Sequence, residues 1–405
     1  MRNLKTAKIG FLTGFILLTS AFVNAEDMLS GFRYANQQAP SGKEWESPEN
    51  LALNKELPRA YFFSFENKES ARKVLPENSA YWKSLDGTWK FNWVKHPDER
   101  PVDFYKPEFN VNGWENIPVP VSWNIHGIQK DGSLKYGVPI YVNQPVIFQH
   151  KVAVDDWRGG VMRTPPANWT TYEYRNEVGS FRRDFTVPQE WDGRQVFLSF
   201  DGVDSFFYLW INGQYVGFSK NSRNAARFDI TSYLQKGSNT IAVEVYRSSD
   251  GSFLEAQDMF RLPGIFRTVA IYSVPKLHIR DLQVFPGYKN GNGTLDVKLN
   301  LKSVDKKRVN ISKYKVKYSL YENELYSDKN KLVSNVETSV LKTKGKLQIN
   351  QGEIVNLTDA GLKFENIKPW SAETPNRYAL VVELLDNKGR VVETVSTYTG
   401  FRSVE

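Results

Sequence analysis

Segment after segment of this chain alternates large apolar with polar residues, and no extended 3.6-period amphipathic stretch lies between them. Gly87-Thr88-Trp89-Lys90-Phe91-Asn92-Trp93 is the clearest case, a pattern that buries one face of a strand and wets the other. Val196 to Phe200, Phe207 to Ile211 and Ile241 to Tyr246 are further strand candidates, rich in β-branched and aromatic residues. Asn212-Gly213 separates Tyr208-Leu209-Trp210-Ile211 from Tyr215-Val216-Gly217-Phe218, and both residues tolerate the positive φ that a two-residue hairpin turn demands. A βαβ architecture needs helices between its strands, so it is excluded, and an all-β fold is expected.

Val274-Pro275 ends one run of strands. From there the strands become shorter and richer in Lys, Val, Leu and Thr, broken by Gly-Asn, Asp-Lys-Asn and Asp-Asn-Lys-Gly turns. A boundary therefore falls between 275 and 276. Residues 276–402 hold roughly seven strand candidates in about 125 residues, which suits an immunoglobulin-like sandwich without its usual disulfide. Residues 60–275 form the first strand-rich domain. The polar, poorly periodic stretch 26–59, with Gln37-Gln38-Ala39-Pro40-Ser41-Gly42, reads as an irregular arm.

The first 25 residues set Arg2, Lys5 and Lys8 ahead of the apolar run Ile9 to Val23 and end on Val23-Asn24-Ala25, the layout of a secretory signal peptide cut after Ala25. The run is shorter than the roughly 20 residues of a membrane span, and no later segment is apolar enough to cross a bilayer. A secreted protein follows, periplasmic in a bacterium with two membranes, free of the membrane once the signal is removed. Cys is absent, which excludes disulfides, thiolate chemistry and Cys-ligated zinc. The net charge of +8 falls to +5 with loss of the three basic signal residues (8 − 3), and Lys and Arg are interspersed with acids, which argues against a nucleic-acid partner.

The four histidines, His96, His126, His150 and His278, show no metal-ligand spacing, and no Gly-x-Ser-x-Gly elbow or phosphate-binding glycine loop occurs. Two stretches depart from strand texture. Pro139-Ile140-Tyr141-Val142-Asn143-Gln144-Pro145 places a lone amide between prolines, and the Asn143 amide can both donate to and accept from a ligand hydroxyl; taken alone, a structural turn is the commoner role for such an Asn. Ser249 to Phe260 holds Asp250, Glu255 and Asp258 with Gln257 beside aromatics, and these oxygens suit sugar hydroxyls or a hard cation as well as they suit caps and solvated loops. The aromatic load, with 11 Trp, fits stacking on sugar rings, with residues 156–172 as the candidate exposed aromatics, although most aromatics of a sandwich lie in its core.

Three runs, Trp82-Lys83-Ser84-Leu85-Asp86-Gly87-Thr88-Trp89-Lys90-Phe91, Val119-Pro120-Val121-Ser122-Trp123-Asn124-Ile125-His126-Gly127 and Asp201 to Ser205 through Trp210-Ile211-Asn212-Gly213, resemble the sugar-binding jelly roll of family 2 glycoside hydrolases. Ser248 to Arg267, with Gln257-Asp258-Met259-Phe260 at its centre, narrows the likeness to the large bacterial β-galactosidases, and Pro369 to Asn376 and Thr399-Gly400-Phe401-Arg402 extend it through the second domain. The resemblance implies a jelly-roll β-sandwich followed by an immunoglobulin-like β-sandwich. It also implies that Asn143 hydrogen-bonds a galactosyl ring and that Asp258 contacts both the sugar and a sodium ion (Na+). In that family both catalytic glutamates and the magnesium (Mg2+) ligands lie on a (β/α)₈ barrel that begins after the Gly-Phe-Arg strand, at about residues 403–405 here. No βα-repeating segment occurs in this sequence, so no catalytic residue is expected in it and the chain alone is expected not to hydrolyse a glycoside. The implied partners are β-galactosides, with room for a homo-oligomer in a full-length form. A free-standing carbohydrate-binding protein, a β-glucuronidase or β-mannosidase specificity, and a purely structural pair of sandwiches are the competing readings.

Overall fold

In the computed structural model the described residues are 40–42, 44–46, 49–139, 176–255, 259–323, 331–339 and 347–403. They form two β-sandwiches joined by an N-terminal strap, and no (β/α)₈ barrel occurs among them.

The first sandwich sets a seven-stranded sheet against a four-stranded one. In spatial order the larger sheet runs Ala52–Leu53, Gln214–Ser219, Phe206–Ile211, Ser238–Tyr246, Val178–Thr186, Gly87–Val94 and Glu115–Val119. The smaller runs Ala226–Asp229, Gln195–Phe200, Val269–Val274 and Trp82–Ser84. Every pairing is antiparallel, as expected for strands linked by hairpins and returns rather than crossover helices. The hairpin at Asn212-Gly213 forms with φ of 50° and 78°, pairing Ile211 with Gln214. Trp89, Trp123, Phe181, Leu198, Phe207 and Val243 fill the space between the sheets. A second apolar cluster, with Phe104, Tyr208, Trp210 and Tyr246, lies on the outer face of the larger sheet, so these strands are buried on both sides.

The second sandwich sets Leu277–Lys289, Asn292–Ser303 and Ile354–Phe364 against a five-stranded sheet of Leu332–Ser339, Lys315–Glu322, Tyr378–Leu385, Val391–Thr399 and Ser64–Phe65. Its core is aliphatic, built from residues such as Leu295, Val297, Leu299, Leu320, Leu380 and Val382, with Tyr318 and Tyr378 as its largest members.

Two expected boundaries differ from the structure. The stretch read as an irregular arm packs against the first sandwich through its described residues: Trp45 is buried, and Ala52–Leu53 adds an edge strand opposite Ser219 and Phe218. The reason is that a few widely spaced anchors hold it, and such anchors carry no period. Residues 60–79, assigned to the first domain, largely serve the second, because Ser64 and Phe65 pair with Val395 and Thr394. Consecutive side chains of an extended segment point to opposite sides, so Phe62 enters the core of the second sandwich while Phe63 packs between Phe197, Tyr272 and Val274 of the first. Residues 1–25, expected to be a signal peptide, lie outside the described residues.

Candidate functional site

Both residues singled out by sequence, Asn143 and Asp258, lie outside the described residues, as do Gln257 and the aromatic stretch 156–172. What the structure places is the set of residues from which those segments depart and to which they return. Residues 140–175 fall between Pro139 and Asn176, just ahead of the Val178–Thr186 strand; 256–258 fall between Glu255 and Met259, shortly after the Ser238–Tyr246 strand. Those two strands are neighbours, with Val178 opposite Tyr246. Their loop ends are therefore stitched together: the Asn176 amide donates to Ser248 O (2.9 Å), its oxygen accepts from Ser248 N (2.9 Å), and Arg247 N donates to Glu177 O (3.0 Å).

An ion pair closes this junction. Arg247 and Glu177, 3% and 0% exposed, meet through Arg247 Nη1 and Glu177 Oε1, while Nη2 of the same guanidinium donates to Val138 O at 2.6 Å. Glu177 Oε2 also faces Trp123 Nε1 (3.4 Å) and the Asn124 amide (3.5 Å). One arginine thus holds the last residues before 140–175 and the first residues after them. Gly137 makes the approach feasible: its φ is +74°, and a Cβ there would stand 2.3 Å from Glu177 Oε1.

The turn leading to residues 256–258 is fixed by charge as well. After Ser249 the chain makes a one-turn helix, Ser252–Glu255, with Leu254 N and Glu255 N both donating to Gly251 O (3.0 and 2.9 Å). Asp250 pairs with buried Lys220 at 2.7 Å, and the Glu255 carboxylate accepts from Ser222 N (2.9 Å) and Ser222 Oγ (2.6 Å). Two of the three acids of this stretch are therefore engaged with the protein itself. Beside them lies Asp204, mostly buried, with Arg223 at 3.4 Å. Burial pushes its carboxyl up to about 7, opposed by Arg223 and reinforced by Glu255. Burial and the neighbouring Arg247 bring Arg261 down to about 10, with Asp204 opposing. Leu254, Met259 and Phe260 are exposed on the same stretch.

Chemically, this end of the sheet offers a charged, tightly bonded floor beneath exposed apolar side chains. That combination suits a ligand with both hydroxyls and C–H faces. Among the described residues no group of three or more His, Asp or Glu stands together as a metal site. Sequence reasoning missed Glu177, Arg247 and Lys220. The signal was available for two of them, since Glu177 and Arg247 are charged residues placed directly against the ends of long apolar strand runs.

Comparison with known proteins agrees with the architecture. Residues 82–275 match the model of the sugar binding domain of glycosyl hydrolases family 2, and 277–402 match the family 2 domain that follows it. A beta-galactosidase of Priestia megaterium is 37% identical over 365 residues, which are 89% of this chain and 32% of that protein. One from Yersinia enterocolitica is 32% identical over 369 residues, 89% of this chain and 31% of that protein. The chain thus spans about a third of the length of the curated relatives it matches. In fold it is similar to a Bacteroides uniformis beta-glucuronidase, with a TM-score of 0.57 at 19% identity over 80% of this chain and 32% of that one. It is also similar to a Bifidobacterium dentium beta-glucuronidase complexed with coumarin-3-O-glucuronide, with a TM-score of 0.55 at 16% identity over 81% and 49% of the two chains. From its two matched domains, in order and over most of its length, the chain belongs to glycosyl hydrolases family 2.

Proposed function

We propose that this chain is the sugar-contacting, non-catalytic part of a secreted β-galactosidase, acting on terminal β-galactosides only when joined to or complemented by a catalytic barrel. The observation that carries the reading is the junction of Arg247, Glu177 and Ser248, which draws together the anchors of residues 140–175 and 256–258. In this reading the Asn143 amide donates to and accepts from ring hydroxyls. Asp258 takes a charge-assisted hydrogen bond from another, the stronger kind of contact. The name shared by the bacterial relatives at 32–37% identity supports a galactoside, whereas the glucuronidase likenesses are of fold alone.

No catalytic role is assigned within the chain. Glycoside hydrolysis uses a pair of carboxylates free to exchange a proton or attack a sugar carbon. The described acids beneath the site face Arg247, Lys220, Arg223 or Ser222 instead. Asp258 is also proposed to ligate sodium, which when bound would supply positive charge beside the sugar; no described acid cluster completes such a site, so no step is routed through it. Magnesium is assigned to the barrel. Export by the segment 1–25 places the protein in the periplasm.

Two or three hydrogen bonds at about 1 kcal/mol each leave affinity of millimolar order at best. The test is hydrolysis of a chromogenic β-galactoside by the purified chain, alone and mixed with a barrel fragment of the Priestia relative. Turnover only on mixing, abolished by Asp258→Ala, is expected. Turnover by the chain alone would overturn the non-catalytic assignment, and silence in both samples would favour a free-standing carbohydrate-binding protein.

A further inference from the structure

The arm reaches the turn that leads to residues 256–258. Glu44 and Trp45 are both nearly fully buried; Tyr208 donates its hydroxyl to Glu44, and Trp45 stacks on Tyr246 with ring centroids 5.4 Å apart. Trp45 O then accepts from Asp250 N at 2.8 Å, a bond from the arm straight into the turn. Six residues on, Leu51 O accepts from Lys220 N at 3.0 Å, and the Lys220 ammonium, its side chain 2% exposed, meets Asp250 at 2.7 Å. The arm can lie this close only because Gly217 has no side chain: a Cβ there would sit 2.1 Å from Leu53 O. The turn Ser249–Glu255 is thus linked to the arm twice, once directly through backbone and once through Lys220, whose backbone bonds the arm and whose ammonium pairs with Asp250.

We propose that residues 44–46 and 49–53 are a positioning element for the turn Ser249–Glu255, and that the Lys220–Asp250 pair is the joint through which the arm sets that turn. Lys220, Asp250 and Trp45 are accordingly positioning residues: they touch no ligand but hold the segment from which residues 256–258 depart. As a sugar-site device the idea rests on the function proposed above; as a statement about the turn it does not. A displacement of about 1 Å at a binding group is enough to cost affinity or rate, so an element that immobilises this turn belongs to the site's working parts.

Hydrogen exchange on the full chain separates the possibilities. Unseating the arm with Trp45→Ala, or neutralising the joint with Lys220→Met/Asp250→Asn, which removes both charges of the pair, is expected to speed exchange of residues 249–255 at least about tenfold. The strands Val178–Thr186 and Ser238–Tyr246 keep their wild-type protection. A merely structural role would spread the change evenly over the first sandwich, and that result overturns the proposal. So does exposure of residues 44–46 and 49–53 in Trp45→Ala with residues 249–255 still protected. The sugar reading fails separately, if saturation-transfer NMR finds no contact between the wild-type chain and a β-galactoside at millimolar concentration; the exchange comparison stands whichever way that goes.

Discussion

The two sandwiches bury their strands differently. In the second, Asn292–Ser303 and Ile354–Phe364 of the three-stranded sheet alternate buried and exposed residues almost without fault, one face toward an aliphatic core and the other toward water, and only the five-stranded sheet, with Phe65 and Ala71 against Ala379 and Val381, has a strand, Tyr378–Leu385, buried throughout. In the first, Gln195–Phe200 and Phe206–Ile211 are buried at every position, because loops, arm and strap cover the outer faces of both sheets. Covering those faces puts charges under cover too. Arg247 with Glu177 and Lys220 with Asp250 lie inside the first sandwich, close to where the sequence turns toward the candidate sugar contacts. A third layer of loops over a two-layer sandwich creates interior positions where charge can be fixed, and the candidate site adjoins them.

That contrast predicts where mutation hurts most. Arg247→Met strands Glu177, fully buried, without its cation, and the expected loss is about 3–5 kcal/mol. Adding Glu177→Gln is expected to restore much of it. Urea denaturation of the single and double variants checks this, and a single variant within about 1 kcal/mol of wild type would show that the junction is not a desolvated pair.

Acid response tests the contrast next, because each sandwich holds one carboxyl that burial pushes up to about 7: Asp204 in the first and Glu393 in the second. Glu393 accepts from Ser64 Oγ and from Ile279 N, and the neighbouring Arg194 and Arg59 oppose its rise. For a raised carboxyl the folded state keeps a proton that the unfolded chain has already released. The contribution is therefore fully present below the ordinary carboxylate range and is lost as pH climbs to about 7. At 1.36 kcal/mol per unit the loss is on the order of a few kcal/mol per group. Asp204→Asn and Glu393→Gln should each remove part of a fall in urea midpoint between pH 4 and about 7; buried His278, brought down to about 3, acts in the opposite sense below the ordinary histidine range, where the unfolded chain takes up a proton and the folded one does not. A profile that either substitution leaves unchanged would deny that group its shift.

A third comparison lies wholly in the second sandwich. Asp359 accepts from Tyr318 Oη at 2.6 Å and Thr338 Oγ1 at 2.7 Å, the counterpart of the charge fixed in the first. Tyr318→Phe removes one donor and leaves the other, so the expected loss is about 1.5–3 kcal/mol, below that of Arg247→Met. A loss as large would erase the distinction between the sandwiches.

How much of this the sequence discloses depends on whether the signal is local. Strands and the Asn212-Gly213 hairpin are legible because period and turn chemistry act over a few residues. The seating of Trp45 and the division of Phe62 and Phe63 between two cores are not, since each depends on surfaces assembled from far along the chain. Glu177 and Arg247 are 70 residues apart, and no spacing rule joins them. Asn143 and Asp258 stand out by local texture but gain a role only by resemblance, and the described residues show only where their segments begin and end.

The smallest effect marks the other end of the comparison. Lys315 and Glu337 form a 2.7 Å ion pair across neighbouring strands of the second sandwich, with side chains 51% and 42% exposed. In geometry this matches Lys220 and Asp250, also 2.7 Å apart, so distance alone would rank the two pairs equal. Water decides otherwise. An exposed pair gains little over its two hydrated ions and is screened by salt, so Lys315→Ala is expected to cost no more than about 1 kcal/mol, shrinking further in 1 M NaCl. Lys220→Ala, which leaves Asp250 buried and unpaired, is expected to cost several times as much and to respond little to salt. Equal losses in the two variants would mean that burial does not govern charge in this protein, and the contrast between the two sandwiches would lose its physical basis.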